Sequence, residues 1–194
     1  LSSAWVPEPV LWLSLLNATA CTVLPVLLVM MAIERIGPAL TSGRIGDIAV
    51  NPQNRNQYYL AVASGGVWKT NNSGTTWQPV FDGQGSYSIG CVTLDPNNPL
   101  VVWVGTGEGN GRNSSSWGTG MFRSTDGGGT FKHVGLPDAH DIPRLSVDPK
   151  NPDVCYAAAL GHLWGPNKER GVYKTTDGGR TWKAVLQIDE NTGA

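Results

Sequence analysis

Ser124-Thr-Asp-Gly-Gly-Gly-Thr-Phe131 is the segment that decides the fold, because two further copies of its pattern occur in the chain. They are Thr70-Asn-Asn-Ser-Gly-Thr-Thr-Trp77 and Thr175-Thr-Asp-Gly-Gly-Arg-Thr-Trp182. Each copy fits Ser/Thr-x-Asp-x-Gly-x-Thr-aromatic, except that Asn72 replaces the aspartate. The third positions, 72, 126 and 177, are 54 and 51 residues apart. A period of that length predicts a repeated structural unit such as a propeller blade.

Four short strand-like segments accompany each motif. The first ends in an Asn/Asp-Pro turn, where proline fixes φ and stops the ladder, at Pro52, Pro96 and Pro149. The later strands are predicted at Tyr58–Ala63, Val101–Gly105 and Val154–Leu160, at Gly66–Thr70, Gly120–Ser124 and Gly171–Thr175, and at Thr76–Val80, Thr130–Val134 and Thr181–Val185. This pattern predicts an all-β fold, an incomplete β-propeller of about three four-stranded blades at about 43–80, 88–134 and 142–185.

The motif itself is interpreted as a folding device. Asp126 and Asp177 are expected to accept hydrogen bonds from backbone N–H groups of the following hairpin, as Asn72 can through its side-chain oxygen. The structural positions are Asn72, Gly74, Trp77, Asp126, Gly128, Phe131, Asp177, Gly179 and Trp182. Each motif offers at most one acid, where hard cations need several oxygens. We therefore expect neither a metal nor a cofactor.

Composition narrows the function classes. Charged residues make up 15% of 194 residues, the formal net charge is -1, and no Lys/Arg cluster occurs, which argues against a nucleic-acid partner. Cys21, Cys91 and Cys155 have no zinc-ligand spacing and no disulfide framework. Cys91 and Cys155 lie in apolar strand-like runs, so buried thiols are expected there.

Residues 1–34 differ from the rest of the chain. Positions 9–33 carry no charge and are long enough, as an apolar helix, to cross a bilayer. The first basic residue, Arg35, follows this stretch, whereas a secretory signal has basic residues before it. An export signal, a membrane anchor, an upstream translation artefact and a helix without function remain alternatives. The expected location is periplasmic, extracellular or membrane-anchored, with membrane attachment through 9–33.

The repeated motifs are Asp-boxes, and residues 35–194 resemble the BNR/Asp-box β-propeller superfamily. Five segments are similar to the start of large exported bacterial proteins described as sortilin N-terminal-like or glycosyl-hydrolase BNR-repeat-like. They are Arg35–Pro38, Ser42–Ile45, Ala63–Thr70, Trp103–Glu108 and Gly161–Trp164. The resemblance implies an N-terminal fragment whose remaining blades are missing. It implies a fold more than an activity, because proteins with the propeller fold have many different functions.

Two functions follow from this resemblance. Sortilin-like and photosystem-assembly propellers bind peptides or proteins, whereas xyloglucan-active two-propeller glycosidases carry a catalytic aspartate two residues before a Gly-Gly pair. Ala63 occupies that position here. Sialidases need an arginine triad, for which Arg35 or Arg44 alone is weak evidence. The first hypothesis is therefore an exported module that binds protein or peptide, and the alternative is a glycoside hydrolase, with no catalytic residue assigned.

A ligand site is expected opposite the Asp-box turns, where long loops and blade linkers emerge. The ligand-binding candidates on these loops are Glu108, Arg112, Trp117, His140, Asp141, His162 and Trp164. They could form a polar pocket with tryptophan platforms for a sugar or a peptide side chain. The competing interpretation is that both tryptophans pack between blades, that His162 is a packing histidine, and that Glu169 and Arg170 form a surface pair. No carboxylate pair stands out as a glycosidase acid and base.

Overall fold

The computed structural model describes residues 44–110 and 115–193. The predicted apolar helix at 1–34, Arg35 and the candidate Arg112 lie outside these ranges. Within them, twelve strands follow in chain order: β1 Ile45–Val50, β2 Tyr58–Val62, β3 Gly66–Thr70, β4 Gln78–Pro79, β5 Ile89–Leu94, β6 Val102–Thr106, β7 Met121–Ser124, β8 Lys132–His133, β9 Arg144–Asp148, β10 Asn151–Ala159, β11 Gly171–Thr175 and β12 Lys183–Leu186. A short 3-10 helix spans Pro137–Ala139. None of the described residues form a helix long and apolar enough to cross a membrane.

The strands form three four-stranded antiparallel sheets, β1–β4, β5–β8 and β9–β12, and neighbours in each sheet are consecutive in the chain. In the first sheet Leu60 of β2 lies opposite Ile48 of β1 and Trp68 of β3. The predicted all-β architecture of blade-like sheets is confirmed. It arises because most connections within the sheets are short turns rich in Gly, Pro, Asn or Asp, while two longer loops join β6 to β7 and β10 to β11.

The fourth strand of each sheet starts later than predicted. The backbone N–H groups of Thr76, Thr130 and Thr181 donate to the side chain of the third residue of their own motif, at 2.8–2.9 Å, instead of entering the ladder. In the first sheet Pro79 also lacks the N–H that would continue β4. β10 begins at Asn151, earlier than predicted, because its pairing with β9 is irregular between Asn151 and Cys155.

Two hydrophobic cores lie between sheets, and a smaller cluster around Leu60, Val62 and Trp68 lies within the first sheet. In the first core Phe81 contacts Phe122 and Phe131 edge-on, at centroid distances of 5.1 and 5.0 Å. The second core joins the second and third sheets around the buried Trp103, and it contains Cys91 and Cys155, which are free, buried thiols as expected. Burying each large apolar side chain contributes about 1.5–3 kcal/mol, so packing between sheets fixes their order.

The two ends of the sheets carry different connections. At one end, Gly107 N–H donates to the Ser88 carbonyl (2.8 Å) and Gly118 N–H to the His140 carbonyl (2.7 Å). The β6–β7 loop therefore lies between the two blade linkers. At the other end, the Asp-box turns form hydrogen bonds with the turns that join the first and second strands of the sheets. An example is the Gly127 N–H, which donates to the Leu100 carbonyl (2.8 Å). We call the first end the loop face; it comprises residues 63–65, 81–88, 107–110, 115–120, 135–143 and 160–170.

Candidate functional site

The Asp-box turn is internally satisfied. Ser124 Oγ accepts from Gly128 N–H (2.9 Å) and donates to Asp126 Oδ1 (2.7 Å). Thr130 donates its N–H to Oδ1 and its hydroxyl to Oδ2 of Asp126, both at 2.8 Å. The Thr130 N–H, followed by the two hydroxyls, lowers the pKa of Asp126 to about 2. The carboxylate is thus fully engaged in holding the turn.

The other two copies repeat this geometry. Asp177 accepts from the N–H (2.9 Å) and the hydroxyl (2.6 Å) of Thr181. The Thr181 hydroxyl, followed by the Thr181 N–H, lowers the pKa of Asp177 to about 2. Asn72 accepts the Thr76 N–H through its oxygen (2.9 Å), while its amide nitrogen donates to the Thr76 hydroxyl (2.9 Å). Asparagine therefore replaces aspartate without loss of a hydrogen bond.

Three adjoining pockets cross the loop face. The first, of about 320 Å³, is lined by Ser64, Asp82 and Tyr87 among others. The second, of about 340 Å³, shares Tyr87 with the first and reaches Trp117. The third, of about 190 Å³, shares Trp117 with the second and extends to Trp164. The three pockets therefore adjoin one another through shared lining residues, and we call the row that they form the groove.

Exposed aromatic side chains mark this groove. Tyr87, Trp117 and Trp164 are 59%, 70% and 76% exposed, and we call these three residues the aromatic track. The interpretation of both tryptophans as interblade packing is therefore wrong. Tyr87 was not among the candidates, although its place in a linker on the same face was a usable signal.

The third pocket brings together five of the seven candidates: Trp117, His140, Asp141, His162 and Trp164. The imidazole of His140 stacks on that of His162, with centroids 3.7 Å apart and planes 17° apart, and Trp117 lies 5.5 Å from His140. Burial first, and then the neighbouring His162, lower the pKa of His140, so its ring is neutral at neutral pH. The pocket wall is thus largely aromatic.

Asp141 supplies the carboxyl group of this pocket. It is 1% exposed, and its Oδ1 has no hydrogen-bond partner among the described residues. Burial, and secondarily the charge of Glu108, raise the pKa of Asp141 to about 7. The acid is therefore substantially protonated at neutral pH.

Glu108 does not line the pocket but interacts with Asp141 through its charge. It is 2% exposed and forms an ion pair with Arg44, whose Nε donates to Oε1 at 2.7 Å. Its Oε2 has no partner in the described part of the chain. Glu108 and Asp141 are the two acids that the structure brings close on the loop face, and both are buried.

The residues considered as a surface pair behave differently. The guanidinium of Arg170 donates to the carbonyl oxygens of His162 (2.8 Å), Gly165 (3.1 Å) and Asn191 (2.7 Å). It therefore braces the loop that carries His162 and Trp164, and it is not engaged with Glu169 in any of these bonds.

A further cavity, of about 540 Å³, lies at the opposite end beside the third Asp-box turn. Three of its charged groups are already engaged: Arg123 Nη2 donates to Asp153 Oδ1 at 2.7 Å, and Asp177 accepts from Thr181. Nowhere in residues 44–110 and 115–193 do three His, Cys, Asp or Glu side chains converge to hold a metal. The loop face is therefore the better candidate site.

Comparison with known proteins connects this architecture to carbohydrate-active enzymes. No protein-family model matches the chain. It is 28% identical over 156 residues to an oligoxyloglucan-reducing end-specific xyloglucanase of Emericella nidulans. The alignment covers 74% of this chain and 18% of that protein. It is 26% identical over 178 residues to a xyloglucanase of Acetivibrio thermocellus, covering 73% and 20%. The chain thus spans about a fifth of the length of these relatives.

Solved structures share the fold. An ancestral GH74 enzyme superimposes with a TM-score of 0.61 at 23% identity, over 79% of this chain and 19% of that one. Ycf48 bound to D1 peptide gives 0.53 at 18% identity, over 77% and 43%. An auxiliary nutrient binding protein of Bacteroides thetaiotaomicron gives 0.54 at 10% identity, over 76% and 31%.

The three sheets and these similarities define the class: the chain is a BNR-like β-propeller blade region. More particularly, its sequence is similar to those of xyloglucanases, and its fold is similar to those of an ancestral GH74 enzyme and of Ycf48.

Proposed function

We propose that this chain supplies one section of a glycan-binding groove in a carbohydrate-active propeller protein of the glycoside-hydrolase type. The observation that carries the proposal is the aromatic track of Tyr87, Trp117 and Trp164, which runs along three adjoining pockets. Sequence similarity to xyloglucanases supports this function ahead of peptide binding, the first hypothesis from sequence.

The chemistry of the groove suits a chain of sugars. An exposed indole or phenol ring offers a flat apolar face against which the C–H face of a sugar ring packs. The third pocket, at about 190 Å³, is smaller than the roughly 300–1,000 Å³ of sites that enclose a whole small molecule. It therefore fits one unit of a longer ligand that continues along the track.

Charge also favours a neutral ligand over a peptide. Glu108 is paired with Arg44, and the buried Asp141 is substantially protonated at neutral pH. The wall of the third pocket thus carries little net charge, whereas a charged peptide side chain would need an opposite charge to replace its hydration. Peptide binding, as in the Ycf48 complex, is the second candidate and is an outcome of the test below.

This section is assigned to binding, not to bond cleavage. Ala63 stands where the glycosidase pattern has its aspartate, is 1% exposed, and donates its N–H to the Arg44 carbonyl at 2.8 Å. An alanine offers no acid or base. Hydrolysis would therefore depend on carboxyl groups elsewhere in a protein of the relatives' length.

A screen of the full protein against glycans, for binding and for release of reducing ends, tests the proposal. We expect binding of xyloglucan or a related β-glucan. Failure to bind any glycan, together with capture of defined synthetic peptides, would replace the proposal with the peptide-binding candidate.

A further inference from the structure

We propose that the third sheet carries a docking surface for a second copy of this chain, which presents its first sheet to that surface in a head-to-tail contact. The contact repeats the one that already joins consecutive sheets within the chain. Its donor half lies on the third sheet and its acceptor half on the first sheet. The surface is separate from the loop face and from the ligand proposed there.

The interface between the first and second sheets defines the contact. Lys69 Nζ and the Tyr59 hydroxyl both donate to the Gly127 carbonyl of the following Asp-box turn, at 2.8 Å. Lys69 lies directly opposite Tyr59 in the β2–β3 ladder, and its Nζ is 5.4 Å from the Tyr59 ring centroid. A cation held over an aromatic ring therefore binds the turn of the next sheet.

The interface between the second and third sheets repeats this contact. Arg123 lies opposite Trp103 in the β6–β7 ladder and 5.0 Å from the centroid of its ring. Arg123 Nη1 is 3.5 Å from the carbonyl oxygen of Gly178, in the third Asp-box turn. The contact is therefore preserved although both the cation and the ring have changed.

The third sheet carries the donor half of a further contact of this kind. Lys174 lies opposite Tyr156 in the β10–β11 ladder, with Nζ 5.1 Å from the ring centroid. Tyr156 stands between Cys155 and Ala157, which pack towards the second sheet, so its ring lies on the outer face and is 39% exposed. Lys174 Nζ makes no hydrogen bond within residues 44–110 and 115–193. The cation is therefore free to bind a turn carbonyl.

The Asp-box turn of the first sheet carries the acceptor half. Ser73 occupies the position of Gly127 and Gly178 in its motif, and its φ of +57° is close to their values of +68° and +73°. Its N–H donates to the Asn56 carbonyl at 2.9 Å, as the Gly127 N–H does to the Leu100 carbonyl. The turn therefore has the conformation of the two that are already bound, and no described residue donates to the Ser73 carbonyl.

A tryptophan of the first sheet supplies a second matching group. Trp182, the aromatic residue of the third motif, donates its Nε1–H to the Val134 carbonyl of the preceding sheet at 2.6 Å. Trp77 has the same position in the first motif. Its Nε1–H has no acceptor in the part of the chain that the structure describes. The first sheet therefore presents both a carbonyl and an N–H to a preceding sheet.

Exposed apolar side chains accompany both halves. On the third sheet Leu186 and the nearby Ile188 are more than half exposed. On the first sheet Ile48 and Val50, each about half exposed, alternate with Ala49, which packs towards the second sheet, so they lie on the outer face. Joining the two faces removes both sets from water, and the hydrogen bonds set their register.

The positions of the two halves decide how the copies meet. Because the donor half and the acceptor half lie on different sheets, the contact is heterologous, third sheet to first sheet. A contact between two third sheets would instead bring together the Lys174 ammonium groups of both copies, and like charges at an interface repel each other.

Sedimentation velocity on mixed variants of the full chain tests the head-to-tail contact. Leu186→Lys blocks the third sheet and Ile48→Lys blocks the first. Each variant alone should stay monomeric at concentrations where the wild type associates. An equimolar mixture keeps one intact face on each variant and should form one-to-one complexes. Association of Ile48→Lys to the wild-type extent, or a mixture that stays monomeric, overturns the contact.

Substitutions of the two donors test the hydrogen bonds themselves. Lys174→Met should raise the Kd of association about tenfold and Trp77→Phe about fivefold, because each removes one donor. Phe131 already occupies the position of Trp77 in the second motif, so phenylalanine suits the fold. Lys168→Met, on the loop face, is the matched control and should associate like the wild type. A wild type that is monomeric at every concentration, or association that neither donor variant weakens, overturns the proposal.

Discussion

The Nζ atom of Lys69 in β3 lies 2.8 Å from the carbonyl oxygen of Gly127, in the Asp-box turn of the second sheet. The hydroxyl of Tyr59 donates to the same oxygen at 2.8 Å, and Lys69 Nζ lies 5.4 Å from the Tyr59 ring centroid. The next interface repeats the arrangement with Arg123, which lies over the Trp103 ring (5.0 Å) and 3.5 Å from the Gly178 carbonyl. The second and third Asp-box turns are therefore each held by a cation of the preceding sheet.

This arrangement predicts coupling between Tyr59 and Lys69. Either Tyr59→Phe or Lys69→Met leaves the Gly127 carbonyl one donor, so each should lower the free energy of unfolding by about 1 kcal/mol. The double variant leaves the acceptor with neither donor and should cost more than the two single changes together. Urea unfolding of the four proteins measures the coupling energy. Additivity within about 0.3–0.5 kcal/mol would mean that the two donors act independently.

The lowered pKa values of Asp126 and Asp177 predict acid sensitivity. Each carboxylate stabilises the fold fully when the pH is above 3.8, its ordinary pKa. That stabilisation is lost as the pH falls through its folded-state pKa of about 2. The midpoint of urea unfolding should therefore decrease between pH 4 and pH 2, and less steeply in Asp126→Asn. Asn72→Asp is the reciprocal variant and should steepen the decrease. An unchanged slope in both variants would contradict the role assigned to the Asp-box carboxylates.

Gly107 is predicted to be irreplaceable by alanine. Its φ is +88°, and a Cβ would collide with the His140 carbonyl as well as approach Asp141 Oδ1. We expect Gly107→Ala to reduce the free energy of unfolding by roughly 2–4 kcal/mol. Gly85→Ala is the control, since no heavy atom lies within 4 Å of its added Cβ. Equal stability of the two variants would show that the loop relaxes freely at Gly107.

The outer face of the third sheet predicts self-association of this chain. Val185, Leu186 and Ile188 are 47%, 55% and 70% exposed. Tyr156 is 39% exposed, whereas Tyr59 and Trp103, which also lie in the second strands of their sheets, are buried between sheets. Grouped exposed apolar residues of this kind promote association. Sedimentation velocity at increasing concentration should reveal oligomers, and Leu186→Lys should shift them towards monomer. A wild-type monomer at all concentrations would contradict the prediction.

The elements that sequence predicts well are those fixed by local chemistry. β3 and β11 have the predicted bounds because the turn glycines and the Ser/Thr-x-Asp motif that delimit them are near neighbours in the chain. The late start of the fourth strands was not predicted. It depends on whether the N–H groups of Thr76, Thr130 and Thr181 donate to the motif side chain or to the neighbouring strand.

The candidate site was predictable in its members but not in its chemistry. Long loops pointed to Trp117 and Trp164 and a blade linker to Asp141, yet the influence of Glu108 on Asp141 joins residues that are distant in sequence. That proximity is set by the packing of the second and third sheets, and the burial that keeps Asp141 neutral is a tertiary property. Neither leaves a local sequence signal.

The central claim, that the aromatic track binds glycan, is tested most directly by titrating xyloglucan oligosaccharide into the wild type, Trp117→Ala, Trp164→Ala and a control, Leu100→Ala, by calorimetry. Leu100 is 56% exposed and lies at the Asp-box end. The account predicts that each tryptophan variant binds about tenfold more weakly, a loss of about 1.4 kcal/mol, and that Leu100→Ala binds like the wild type. Undiminished affinity in both tryptophan variants, with folding intact, would contradict it.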